Sequence, residues 1–319
     1  MNTPVVFMVF NRPEPTSRVF ERIRAAQPPK LLVICDGPRP HVPGDAEKVR
    51  QVRALIENGV DWPCEVLTQY AEANMGCRTR IASGLNWAFS VVEEAIILED
   101  DCLPDPSFFP FCEDLLHRYR DDERIMHIAG SNLATCFVRG KSSYWFSHQA
   151  SIWGWATWRR AWRYYDLEMA TWDARANAFR ASFASKWETY FWLPIFEEAR
   201  LNHAKVNTWD FSWTYTCRSL HGLCIVPLNN LVENIGFGAD STHTADEDSH
   251  LHLQAIPNGP MRHPAKIKWN RFGDELLTML WSGQRVGLPA RLRSILRILR
   301  EPARDKYRLE KPGTAAPLH

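Results

Sequence analysis

Short apolar runs and amphipathic windows alternate four times before residue 100, and few architectures can absorb that order. Val5 to Phe10, Leu31 to Cys35, Cys64 to Gln69 and Ala95 to Leu98 read as strands, while Thr16 to Ala26, Asp45 to Asn58 and Thr79 to Glu94 carry helical spacing. Turn chemistry separates them: Asn11, Arg12 and Pro13 after the first strand, Asp36, Gly37 and Pro38 after the second, and Gly59 as the stop of a helix. Such a succession predicts an α/β fold with a mostly parallel sheet and helices on both faces, because parallel neighbours need a crossover and continuous apolar strands need cover on both sides. Ligands of such sheets bind beyond the carboxyl ends of the strands.

The fourth run delivers three acids, Glu99, Asp100 and Asp101, into a turn closed by Pro104 and Pro106. Neighbouring carboxylates repel and each resists leaving water, so a positive partner belongs there, and a divalent cation carrying a diphosphate fits best. The plain alternative is a solvated acidic turn in which Asp105 helps to start the next helix. Arg12 and Asp36 also follow strands directly, so the topology lines them up along the same edge. No Walker loop and no G-x-G-x-x-G occurs, which leaves a metal ion to neutralise phosphates that glycine amides would otherwise cradle.

Beyond the acids, Ser107 to Arg120 reads as a helix and Ile125 to Ala129 as a strand, after which the alternation ends. Residues 143–236 are aromatic and irregular, with helix-like stretches at Thr157 to Tyr165 and Lys186 to Asn202 and strands near Cys224 to Val226 and Leu231 to Glu233. They read as the second half of the same domain, which gives a domain over 1–245, divided at 130, and an extension over 246–319. A net charge of +1 in 319 residues gives no pull toward nucleic acid. The eight cysteines form no C-x-x-C pair, so reduced core thiols are expected rather than a zinc site. Fourteen tryptophans, many between Trp145 and Trp213, serve as core filler or as platforms for sugar rings. The sequence offers no membrane span and no secretory leader, and a cytoplasmic protein is expected. Residues 291–300 place leucines and isoleucine on one helical face and arginines largely off it; such a helix lies on an anionic membrane surface or docks on the main domain or a second subunit.

The order of these features resembles the nucleotide-sugar glycosyltransferases of the glycosyltransferase-A fold, most closely the N-acetylglucosaminyltransferase I group and bacterial family 2 relatives. The match spans residues 4–245. It rests on Asn11 and Arg12 after the first strand, Asp36 after the second, I-L-E-D-D-C-L-P-D-P-S-F-F at Ile97 to Phe109, S-I-W-G-W-A-T-W at Ser151 to Trp158, T-W-D-F-S-W at Thr208 to Trp213 and N-I-G-F-G-A-D-S-T-H at Asn234 to His243. The resemblance implies that residues 1–130 bind the nucleotide sugar and 131–245 the acceptor. It makes Asp101 a direct ligand of manganese or magnesium, sets Glu99 and Asp100 against the ribose and the sugar, and Arg12 and Asp36 against uracil and its ribose. His243 falls where relatives keep a histidine near the metal or the diphosphate.

A uridine diphosphate (UDP) sugar would then be the donor, with N-acetylglucosamine as the leading sugar, and a glycan or lipid-linked molecule of the cell envelope the acceptor. Direct attack by the acceptor hydroxyl inverts the anomeric centre and needs a base. Asp210, between Trp209 and Phe211, is the candidate; its other reading is an N-cap. The family motif carries two adjacent acids where this chain has Phe211 second, which keeps Asp173 and Glu233 as alternative bases. Trp153, Trp155 and Trp158 form the expected acceptor platform, with core packing as the competing reading. Two other functions share these features: a sugar nucleotidyltransferase, which would carry a glycine-rich loop after the first strand, and a sugar-binding module without catalysis.

Overall fold

A computed structural model describes residues 1–135, 141–203, 205–236, 253–256 and 260–283. The expected alternation is present as β1 (Val5–Val9), α1 (Pro13–Ala26), β2 (Lys30–Cys35), α2 (Asp45–Gly59), β3 (Glu65–Tyr70), α3 (Cys77–Val91) and β4 (Glu94–Glu99). β1 is buried along its whole length and sits between β2 and β4, with Val5 paired to both Leu31 and Ile96 in parallel register. Its odd residues Val5, Phe7 and Val9 pack under α1 and α2, and its even residues Val6 and Met8 pack under α3. That two-sided burial is why the strand is a continuous apolar run.

The remaining elements are β5 (Cys102–Pro104), α4 (Phe108–Arg118), β6 (Ile125–Ala129), β7 (Tyr144–Ser147), β8 (Trp155–Trp158), α5 (Arg159–Trp162), α6 (Trp172–Ala181), α7 (Lys186–Leu201), α8 (Asp210–Ser219), β9 (Leu223–Pro227), β10 (Val232–Asn234) and α9 (Arg271–Gly283). Eight strands form one sheet in the order β3-β2-β1-β4-β8-β6-β9-β7. It is α/β and mostly parallel as expected, with β8 and β7 as the antiparallel members. The helix expected from Thr157 to Tyr165 is instead a strand followed by one helical turn, because Trp155 and Trp158 point to opposite faces and fill both sides of the sheet.

Two placements matter for the site. β8 runs antiparallel to β4 with Ile97 opposite Trp155, so continuing the register brings Gly154 and Trp153 beside Leu98 and Glu99. β10 pairs with β5, Asn234 opposite Cys102, and carries the chain back over the acids. α9 lies beyond the 245 boundary and buries Leu276, Leu277 and Met279 beside Trp145 and Val226. Seven described cysteines are free thiols, five of them buried. No helix among the described residues is long and apolar enough to cross a membrane.

Candidate active site

At the carboxyl edge of the sheet the ends of β1, β2 and β4 bring Arg12, Asp36 and the Glu99 to Asp101 acids to one side. Arg12 is the positive partner that the acids demand. Its Nη2 bonds Asp100 and lies 3.0 Å from Asp101 Oδ2, and the Phe10 amide donates to Asp100 Oδ2 at 3.1 Å. Burial works against the Arg12 charge, but the two carboxylates outweigh it and hold the guanidinium firmly protonated. Burial pushes Asp100 up to about 6 even though Arg12 pulls the other way. Arg12 is expected to face uracil; the structure shows its Nη2 engaged with the acids, and a contact to the base would have to come from the rest of the guanidinium.

Asp36 is also engaged inside the protein. Its Oδ1 accepts from the amides of Gly37 and Met75 at 2.8 and 2.9 Å, and its Oδ2 from Asn74 Nδ2 and the Gly76 amide at 3.0 and 3.1 Å. Four bonds fold the 74–76 loop onto the end of β2, and Gly76, at φ +78°, turns that loop into α3. A ribose contact by this carboxylate would have to share those lone pairs.

Glu99 is the opposite case. Its Oε1 is buried without a hydrogen-bond partner, and burial together with the charges of Asp101, Asp100 and Asp210 raises its pKa well above the usual carboxylate range. Asp101 keeps one oxygen on Arg12, while its Oδ1, among the described residues, meets the Cys102 thiol at 3.5 Å. The backbone of residues 235–236 roofs it: the Ile235 amide donates to the Asp101 carbonyl at 2.8 Å, and a Cβ on Gly236 would stand 2.3 Å from Asp101 Oδ2. Three acids against one guanidinium leave carboxylate oxygens over. Hard cations take such oxygens, and magnesium or manganese needs only one or two of them when phosphates and water complete its shell. Among the described residues no three His, Cys, Asp or Glu side chains gather into a metal cage. The residues present thus fit a cation that arrives with its own phosphate ligands. The expected ligand His243 and the basic stretch 291–300 lie outside the described residues.

Asp210 is the first residue of α8, not its N-cap, which is Trp209. The sequence fixes it there through Trp209 and Trp213, whose indoles lie 5.6 and 5.8 Å from that of Trp155 in the core. Their burial turns the adjoining stripe of α8, with Asp210, Thr214 and Arg218, toward an aromatic cavity. Asp210 bonds Thr208 Oγ1, and its charge is among those that raise the Glu99 pKa. Asp173 is exposed on the first turn of α6 and Glu233 sits on β10, and neither lines the cavity.

The tryptophan triplet divides. Trp153 lines the cavity, whereas Trp155 and Trp158 are 0% and 2% exposed and belong to the core. An acceptor platform made of all three is thereby corrected, since a buried indole offers no face to a ligand. Sequence reasoning missed Gln149, the Ser131–Ser151 hydroxyl pair, Trp192 and Trp281 on the cavity, and the roof at Gly236. The four-residue spacing of Trp209, Trp213 and Cys217 was the available signal for the cavity face of α8; nothing local marks Trp281.

No protein-family model matches the sequence, and no curated protein does. Among solved structures, the chain is similar to the galactosyltransferase LgtC in complex with donor and acceptor sugar analogs, at 12% identity over 55% of this chain and 64% of that one, with a TM-score of 0.33. It is also similar to residues 1–349 of TarS from S. aureus, at 8% identity over 73% and 59% of the two chains and a TM-score of 0.39. A third similar structure is UDP-glucose pyrophosphorylase complexed with UDP-glucose, at 12% identity over 46% and 62% and a TM-score of 0.26. This chain covers less than two thirds of the length of each. At these scores the likeness decides neither activity nor substrate.

Proposed function

We propose that the chain is a metal-dependent, inverting glycosyltransferase of the glycosyltransferase-A type, taking a sugar from a UDP-sugar, with N-acetylglucosamine the leading donor, to a glycan or lipid-linked acceptor. One observation carries the reading. The end of β4 holds more acid than Arg12 neutralises, and Asp210, whose charge is felt at Glu99, lines an aromatic cavity. A cation bound there, with Asp101 as its protein ligand, would supply charge neutralisation for a departing diphosphate.

The chain's own residues divide the remaining work. Arg12 holds Asp100 and Asp101 in place and keeps their mutual repulsion from splaying the turn. Asp36 sets the loop before α3, which forms the wall beyond β2. Asp210 accepts the acceptor hydroxyl's proton as that oxygen attacks the anomeric carbon, while the bond from that carbon to the diphosphate oxygen breaks and its electron pair leaves with the nucleotide. A positioned base of this kind contributes typically ~100 to 10,000-fold.

The test is release of UDP from a panel of nucleotide sugars, with manganese and with chelator, for the wild type and Asp101→Ala. The expected result is metal-dependent release that collapses in the variant. Equal release by both proteins would sink the assignment of residue 101, and release from none of the donors would sink the reading as a transferase.

A further inference from the structure

Behind Asp210 lies a cavity of about 180 Å³ whose walls come from parts of the chain far apart in sequence. Trp192 of α7 and Trp281 of α9, with ring centroids 4.9 Å apart, contribute aromatic surface, and Trp153 from the loop before β8 contributes more. Polar groups are few: the hydrogen-bonded hydroxyls of Ser131 and Ser151, Thr214, and Gln149, whose amide is tied to Thr278 Oγ1 at 2.6 Å and the Asp274 carbonyl at 2.9 Å. Aromatic faces beside a small set of fixed polar groups suit a sugar ring, with C–H faces against indole and hydroxyls on the polar atoms.

Charge narrows the class. Arg218 is the one cation among the described lining residues, and both ends of its guanidinium are engaged: Nη2 bonds Glu188 Oε1 at 3.0 Å, Nη1 bonds the Ser182 carbonyl at 3.0 Å, and both partners of the ion pair are buried, while its Nε makes no hydrogen bond among the described residues. A carboxylated ligand would have to share Arg218 with the buried Glu188 and also face the carboxylate of Asp210, two like-charge penalties in one cavity. A neutral ring meets neither penalty. Resting on the transferase reading above, we infer that this cavity seats the acceptor as a single neutral pyranose ring and that α9, through Trp281, completes the seat.

Saturation-transfer NMR on the full chain tests this with methyl β-glucopyranoside, methyl β-galactopyranoside and methyl N-acetyl-β-glucosaminide against methyl β-glucuronide. At least one neutral glycoside should bind saturably, with affinity at least tenfold weaker in Trp281→Ala and retained in Trp281→Phe, while the glucuronide gives no signal. Absence of binding by every neutral glycoside, equal binding by the alanine variant, or a glucuronide signal of the same strength overturns the seat. Should Trp281→Ala unfold by circular dichroism, Leu277→Phe, which narrows the same cavity, is measured instead with the same expectation. Calorimetric titration of UDP with manganese into the same sample separates the two ideas. Glycoside failure with nucleotide binding intact overturns the seat alone, and nucleotide failure with glycoside binding intact overturns the transferase reading.

Discussion

Arg12 Nη2 lies 3.0 Å from Asp101 Oδ2 while also bonding Asp100, so one guanidinium spans two adjacent carboxylates at the end of β4. Removing one partner of a buried pair costs more than the pair contributes, because the remaining charge is left without water or counter-ion; ~3–5 kcal/mol is the usual range. Arg12 keeps a quarter of its side chain in solvent, which places it at the low end of that range. Arg12→Ala should therefore lose about 3 kcal/mol in urea unfolding, and Arg12→Lys should recover part, since lysine keeps the charge without the fork. An alanine variant as stable as wild type would mean that the acids do not depend on this residue.

Gly236 has no room for a side chain. A Cβ there would stand 2.3 Å from Asp101 Oδ2 and 2.9 Å from Arg12 Nη1, so Gly236→Ala must push Asp101 aside. The atoms to be displaced include Asp101 Cβ at 2.8 Å and belong to the partly buried side chains of Asp101 and Arg12, so the shift falls on these two residues and the strands beneath should tolerate it. Metal-dependent UDP release should fall at least tenfold, about 1.4 kcal/mol in the barrier, with a small change in unfolding midpoint. Unchanged release would show that the roof over Asp101 is irrelevant to its chemistry.

The first half of the fold was legible because each element announces itself locally. A continuous apolar run means a strand covered on both faces, as in β1, and the acids had to emerge where such a run met solvent. The second half was not, because tertiary contacts override local pattern there. The stretch from Thr157 reads as helical, yet Trp155 to Trp158 pairs with β4 and β6 as a strand, since two tryptophans on opposite faces satisfy both core layers at once. The acids' need for a positive partner was legible, but its nearest source, Arg12, stands 88 residues before Asp100 and no local pattern joins them. Asp210 was found by its motif, whereas Trp281 reaches the same cavity from a helix near the end of the described chain, with no motif to mark it.

The tryptophan division separates by measurement. Trp158 is buried between layers and donates its indole N–H to the Leu116 carbonyl at 3.2 Å, so Trp158→Ala opens a cavity and orphans that carbonyl. The expected loss is ~3–5 kcal/mol in urea unfolding. Trp153→Ala, at the half-exposed cavity edge, should cost less than half of that. Equal losses would place Trp153 in the core with the others.

His127 offers a pH signature with a worked sign. Its Nδ1 accepts the Trp213 indole N–H at 3.2 Å and its Nε2–H donates to the Ser151 carbonyl at 2.9 Å, so the ring must stay neutral to join α8 to the loop that carries Trp153. Burial pushes its pKa down from 6.5 to about 4. The unfolded chain therefore binds this proton at higher pH than the folded one, and the stability due to the neutral ring is fully present above pH 6.5 and is lost as pH falls toward 4. The size is about 3 kcal/mol over that window. Buried acids such as Glu188 and Asp274, whose pKa values burial raises, run the other way, so the quantity to measure is a difference. Wild type minus His127→Gln in urea unfolding, from pH 7.5 to 4.5, cancels every other group, because glutamine can both accept from Trp213 and donate to Ser151 without titrating. That difference should shrink steadily below pH 6.5, and parallel curves would show that the imidazole is free to charge where it stands.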